Sequence, residues 1–216
     1  MKTVAFVPIR LNSKRVVGKN MKLIAGRPLL YYVLKTLTQV KNIDEIYAYC
    51  SSEEIIPELP SGVNFLKRSE TLDQDTTLGQ EIYDAFTSEV DADIYVLAHT
   101  TSPFIKASTI ETAVNKVMTE GYDSSFSAEK KQTFAWYEGK PLNYSLTAIP
   151  RTQDISPVYI ETSAFFIFRK FRKKLAKYLS TNRLFLIYVL FSIMITDEKA
   201  VPFGVVAQKA MYHAQK

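Results

Sequence analysis

Thr3-Val-Ala-Phe-Val-Pro-Ile9, followed by Arg10-Leu-Asn-Ser-Lys-Arg-Val-Val-Gly-Lys-Asn20 and then by Gly26-Arg27-Pro28, decides how the chain is read. The first run is almost wholly apolar and rich in β-branched residues, the pattern of a strand buried on both faces. The second is polar and basic, a loop. Gly26-Arg27-Pro28 then opens a helix, with Pro28 well placed in the first turn, where an absent N–H is harmless. Leu29, Leu30, Val33, Leu34 and Leu37 give that helix an apolar stripe.

Working outward, Glu45–Cys50 reads as a second strand, Gly62–Leu66 as a short third and Asp93–Ala98 as another buried strand. Leu78–Phe86 suits a helix. Ser108–Val117 suits another, with Ser108 as N-cap and Glu111 completing a capping box. Ser124–Ala128 and Ala164–Phe168 are further strand candidates. Strands alternating with helices from the start predict an α/β domain with a mostly parallel central sheet flanked by helices. Ligands of such sheets sit outside the carboxyl ends of the strands. The loops after Ile9 and Ala98 should therefore share one pocket. No internal repeat or Gly/Ser/Pro linker divides the chain.

Composition narrows the field. Of 216 residues, 47% are hydrophobic and 23% charged, which excludes disordered and fibrous classes. One cysteine, Cys50, excludes a disulfide framework, and two histidines leave no Cys/His zinc cluster. The net charge of +5 is uneven: residues 1–166 carry 17 basic and 20 acidic side chains, residues 167–216 carry 10 and 2. The excess belongs to the tail, so nucleic-acid binding is not expected. Val4–Ile9 is cut short by Arg10, too brief for the core of an export signal. Leu184–Ile195, 12 residues, falls short of the ~20 that a membrane span needs. The expectation is a cytoplasmic protein with no membrane partner.

Met1–Arg27 holds seven basic residues and no acidic one, and Arg10, Lys14, Arg15 and Lys19 share the first loop. Cations and loop amides at the end of a first strand suit a polyphosphate. The spacing is neither the Walker A loop nor the dinucleotide glycine fingerprint. On charge alone, a solvated basic turn reads equally well.

The residues tip that balance. Val7–Asn20, followed by Leu23-Ile-Ala-Gly-Arg-Pro-Leu-Leu30, resembles the opening of the acylneuraminate cytidylyltransferase family, Arg-x-x-Ser-Lys-x-x-x-x-Lys-Asn and then Gly-Lys/Arg-Pro-Leu-Leu. Arg68-Ser-Glu-Thr-Leu-Asp-Gln-Asp-Thr76 is similar to its Arg-x-x-x-Leu-x-x-Asp-Thr stretch, and Ala98-His-Thr-Thr-Ser-Pro-Phe104 to its Leu-Gln-Pro-Thr-Ser-Pro-Leu loop. Pro150–Asp154 with Tyr159–Phe165 resembles its sugar-side segment. The resemblance implies a Rossmann-like nucleotide-diphospho-sugar transferase fold over residues 1–170. It also implies transfer of CMP from CTP to a sialic-type nonulosonic acid with release of pyrophosphate, Mg²⁺ as cofactor, and a homodimer. Alternatives are a related nucleotidyltransferase with another sugar acid or nucleotide, or a nucleotide-binding protein without turnover.

The implied roles follow the chemistry. Arg10 and Lys19 would neutralise charge developing on the α-phosphorus and the leaving oxygens. Ser13, Lys14 and Asn20 would add nucleotide contacts, and Arg68, Asp75 and Thr76 would hold base and ribose. For Arg68 a surface ion pair with Glu70 or Asp73 competes. His99, Thr101 and Ser102 should face the sugar acid, although a lone His is often structural. Arg151 and Gln153 would take its carboxylate and hydroxyls, since a planar guanidinium suits a carboxylate. Phe134, Trp136, Tyr137, Tyr144 and Tyr159 read as core or dimer contacts. After Lys170 the family's usual Asp-x-Asp metal element has no counterpart, Asp197 and Glu198 being the only acids. Metal ligands are therefore unassigned. Residues 171–216 are either a divergent tail or the product of a disturbed reading frame, and the abruptness of the break favours the second.

Overall fold

Strand β1 (Thr3–Ile9) is buried along almost its whole length, as its apolar run predicts. In this computed structural model, residues 1–170 and the strand segments Ile195–Thr196 and Gly204–Gln208 are described. The remaining strands are β2 (Leu23–Ile24), β3 (Arg27–Pro28), β4 (Glu45–Cys50), β5 (Asn64–Lys67), β6 (Ile94–Ala98), β7 (Ser124–Lys131), β8 (Trp136–Tyr137), β9 (Lys140–Pro141), β10 (Val158–Arg169), β11 (Ile195–Thr196) and β12 (Gly204–Gln208). The helices are α1 (Leu29–Leu37), α2 (Gly79–Glu89) and α3 (Ala107–Met118). The main sheet runs β11-β12-β7-β10-β6-β1-β4-β5.

β1 pairs in parallel with β4 on one side and β6 on the other, and β4 pairs in parallel with β5. This places β1 at a topological switch point, where loops from neighbouring strands diverge and leave a crevice. The other half of the sheet is antiparallel: β10 runs against both β6 and β7, and β12 against β7. Period-two alternation splits β1 between two cores. Ala5, Val7 and Ile9 face the apolar stripes of α1 and α3. Val4 and Phe6 face α2, where Phe86 stacks on Phe6 with ring centroids 4.1 Å apart.

Several element boundaries differ from the sequence reading. Pro28 pairs with Leu23 in a small hairpin and stands just before α1 rather than inside its first turn. The third parallel strand lies at Asn64–Lys67. No side chain caps α3, so the Ser108–Glu111 box is absent. The extended Lys106 already offers its carbonyl to the Thr109 and Ile110 amides, and the helix begins before Ser108. Apart from the two strand segments, the readings placed on residues 171–216, Asp197 and Glu198 included, lie outside the described residues.

Candidate active site

The basic loop leaves β1 at Ile9 and closes on a short 3-10 turn, Lys19–Met21. Gly18 precedes that turn at φ +61°, a left-handed conformation that a side chain disfavours. The turn buries Asn20. Its Nδ2 donates to the Arg10 carbonyl at 2.8 Å, and its Oδ1 accepts from Thr100 Oγ1 at 2.7 Å. One amide side chain thus ties the loop after β1 to the loop after β6, which brings the two predicted loops together. Arg10 and Lys14 both pair with Asp75, at 3.5 Å for Arg10. The Lys14 hydrogen bond, then the charges of Lys14 and Arg10, hold the Asp75 carboxyl below its usual range. Lys19 and Arg15 form no ion pair among the described residues. Ser13 is half-buried in the same loop, and Thr76 is exposed next to Asp75.

Arg68 departs from its sequence reading. It pairs with Asp73, but the pair is not on the surface, because the Arg68 side chain is 1% exposed. Its guanidinium donates to the Ile9 carbonyl at 3.0 Å and lies over the Tyr49 ring. Asp73 also accepts from Ser51 Oγ, and its backbone carbonyl accepts from Asn12 Nδ2 at 3.1 Å. Arg68 and Asp73 therefore grip the loop from beneath at Ile9 and Asn12, and Arg68 presents no open surface to base or ribose. Asp73 was visible in sequence only as a neighbour of Arg68. Beyond it lies a surface hollow of about 620 Å³ lined by Ser51, Ser52, Glu53, Glu54, Lys67, Glu70 and Asp73. Its carboxylates make it a poor seat for a triphosphate.

His99 follows β6, and an irregularity in β10 shapes its seat. Between the pairs Glu161–Ala128 and Phe166–Phe126, β7 advances two residues while β10 advances five. The buried Ser127 hydroxyl replaces the lost ladder, accepting from the Ala164 amide at 3.0 Å and the Phe165 amide at 3.3 Å. Ser163, at the crest, has φ +52°. Its carbonyl meets His99 Nδ1 at 2.7 Å, and the Ala164 carbonyl accepts from the His99 amide at 3.0 Å. Bulges of this kind re-aim groups beside sites. Burial lowers the His99 pKa and the Lys19 charge assists, while the Ser163 carbonyl and Glu161 oppose it. No sequence pattern announces Ser127 or Ser163.

Thr101 and Ser102 continue the His99 loop, where the Ser102 amide donates to the His99 carbonyl at 3.3 Å. Arg151 and Gln153 lie farther along, in the excursion between β7 and β10. Both are exposed, and Arg151 is held in a bidentate pair with Asp154 at 2.7 and 3.3 Å. Gln132, just past β7, donates to the Thr152 and Ile155 carbonyls and fixes that segment to the sheet. Among the described residues no group of three or more His, Cys, Asp or Glu is placed to hold a metal ion, and Asp75 is engaged by two cations. The described residues do not by themselves fit a Mg²⁺ site.

Comparison with known proteins extends this picture. N-acylneuraminate cytidylyltransferase A of Danio rerio is 27% identical over 176 residues, 77% of this chain and 41% of that protein. The chain thus spans about two-fifths of that relative's length. CMP-N,N'-diacetyllegionaminic acid synthase of Legionella pneumophila is 34% identical over 122 residues, 53% of this chain and 52% of that protein. Among solved structures, a CMP:2-keto-3-deoxy-manno-octonic acid synthetase complexed with CTP superposes with a TM-score of 0.58 at 17% identity, covering 87% of each chain, a likeness of fold. The sequence profile of the cytidylyltransferases matches residues 4–196, from the buried first strand through both loops joined by Asn20 to β11, and the chain belongs to that family.

Proposed function

We propose that this chain transfers CMP from CTP to a sugar acid of the sialic, nonulosonic type, releasing pyrophosphate. The observation that carries the reading is Asn20, which joins a cation-rich loop to the His99 loop at the switch point of the sheet. A triphosphate on the first loop would take over the cations that Asp75 holds, Arg10 and Lys14, while Lys19 and Arg10 meet the charge that develops at phosphorus. Ser13, Asn20 and Thr76 supply neutral contacts, and Arg68 acts from below through Ile9. On the sugar side stand His99, Thr101 and Ser102, with Arg151 and Gln153 beyond them. There a carboxylate would replace Asp154 on the Arg151 fork. Mg²⁺ is expected with the nucleotide, held through its phosphates and through carboxylates that the described residues do not group together.

The relatives' names cover neuraminic, legionaminic and octulosonic acids, which favours a second reading within the same class: CTP with an octulosonic acid in place of a nonulosonic one. Residues 1–170 form the catalytic domain in this proposal, and 171–216 are its atypical end. Exposed Trp136, Tyr137, Leu142, Leu146 and Ile149 on the excursion between β7 and β10 support a homodimer. No helix among the described residues is long and apolar enough to cross a membrane. A cytoplasmic site is proposed with this reading. The test is pyrophosphate release with CTP, UTP, ATP and GTP against the three sugar acids. Release with CTP and one acid supports the reading. Tight CTP binding without release makes the chain a nucleotide-binding protein instead, and release with another nucleotide reassigns the base.

A further inference from the structure

His99 is held in a way that a space-filling histidine does not need. A carbonyl only accepts, so the 2.7 Å contact with Ser163 puts the ring proton on Nδ1. In the neutral ring Nε2 then carries a free lone pair, and no described residue bonds to it. The fixing carbonyl belongs to a non-glycine residue at φ +52°, a conformation kept only where the surroundings enforce it. Ser127 enforces it by capturing the two following amides. Phe166 sets its ring edge-on to the imidazole at 6.1 Å, fixing the plane. The charged groups that act on the ring are Lys19, from the turn after β1, and Glu161, from β10. Tautomer, plane and position are all specified, beside the loop that carries the cations.

We propose that His99 Nε2 is the proton acceptor for the attacking hydroxyl. This rests on the CMP-transfer reading above. The hydroxyl oxygen of the sugar acid forms a bond to the α-phosphorus of CTP while its proton passes to Nε2. The bond from the α-phosphorus to the bridging oxygen breaks, and pyrophosphate leaves with the electron pair. The imidazolium then returns its proton to water. Burial, together with Lys19, keeps the ring neutral below the ordinary histidine range, so the acceptor is ready at neutral pH.

The test uses the full chain and His99→Gln, whose amide can donate to the Ser163 carbonyl but cannot take a proton, with His99→Asn as a second variant should the first fold poorly. Turnover of CTP with the sugar acid is followed from pH 5 to 9, CTP affinity is measured separately, and long-range proton–nitrogen spectra report the ring tautomer. The expected result is an acid limb in the unaltered chain with a midpoint below the usual 6.5 of histidine. His99→Gln should lose that limb and lower kcat on the order of 10²–10⁴-fold, with CTP affinity within about twofold and Nδ1 protonated in the parent spectrum. Full turnover in His99→Gln, or a change in CTP affinity alone, or a proton found on Nε2, overturns the acceptor and leaves CMP transfer standing. A chain that transfers CMP to no sugar acid overturns the transfer reading and the acceptor together, whatever the spectrum shows.

Discussion

Arg10 and Lys19 stand at opposite ends of a loop whose backbone is held independently of their charges, by Asn20, Asn12 and Arg68. Removing either charge should therefore damage turnover and spare folding. Arg10→Ala or Lys19→Ala is expected to lower CTP turnover on the order of 10²–10³-fold with a nearly unchanged thermal midpoint. Normal kinetics in both would remove them from the machinery. Asp73 should behave in the opposite way. Its loss leaves the Arg68 charge buried without a partner, which typically costs ~3–5 kcal/mol. Urea unfolding of Asp73→Ala should show that loss, and an unchanged midpoint would mean that Arg68 is not held as described. Asp75 is the pH-dependent member. Its folded pKa is depressed, so its contribution is complete above the ordinary carboxylate pKa and disappears as pH falls through the lowered value. Asp75→Asn should flatten the acid side of the thermal midpoint against pH, and an unaltered profile would show that the Lys14 and Arg10 pairs contribute nothing in solution.

At the scale of elements, the irregularity in β10 does more for the site than any regular strand. It costs ladder hydrogen bonds, and the Ser127 hydroxyl recovers two of them. Ser127→Ala leaves the buried Ala164 and Phe165 amides without that acceptor, at about 1–3 kcal/mol. The same variant should release the Ser163 carbonyl from its alignment and lower turnover, with the CTP affinity nearly intact because the β1 loop is held separately. Circular dichroism melts beside kinetics would check both, and a stable variant with full turnover would show that the bulge positions nothing.

For the whole molecule, the excursion between β7 and β10 is where apolar area lacks cover. Trp136 is 55% exposed, Tyr137 65% and Ile149 67%, an unusual concentration of large apolar surface for a free monomer. Sedimentation of the full chain is expected to show a dimer, and Trp136→Ser with Ile149→Ser should shift it to monomer. A parent chain that sediments as a monomer at every concentration would leave the arm without this role. Reading the gene in all frames just past Lys170 tests the origin of residues 171–216 separately: a family-type end in another frame supports the disturbed reading, and its absence makes the tail divergent.

What the sequence determined by itself was whatever depends on local periodicity and on unbroken runs. Thr3–Ile9, the stripe of α1 and the basic loop could be read because burial of a continuous apolar strand or of one helical face is written in neighbouring residues. The pairing of the loops after β1 and β6 followed as well, since a switch point at β1 leaves them one crevice. Tertiary structure alone decided the rest. Burial of Arg68 depends on the Ile9 carbonyl, Asp73 and Tyr49 closing around it, and a charged residue carries no local mark of that enclosure. The bulge of β10 at Ser163 is held by Ser127, 36 positions earlier, because a hydroxyl can take over two amides only where the chain has folded back beside it.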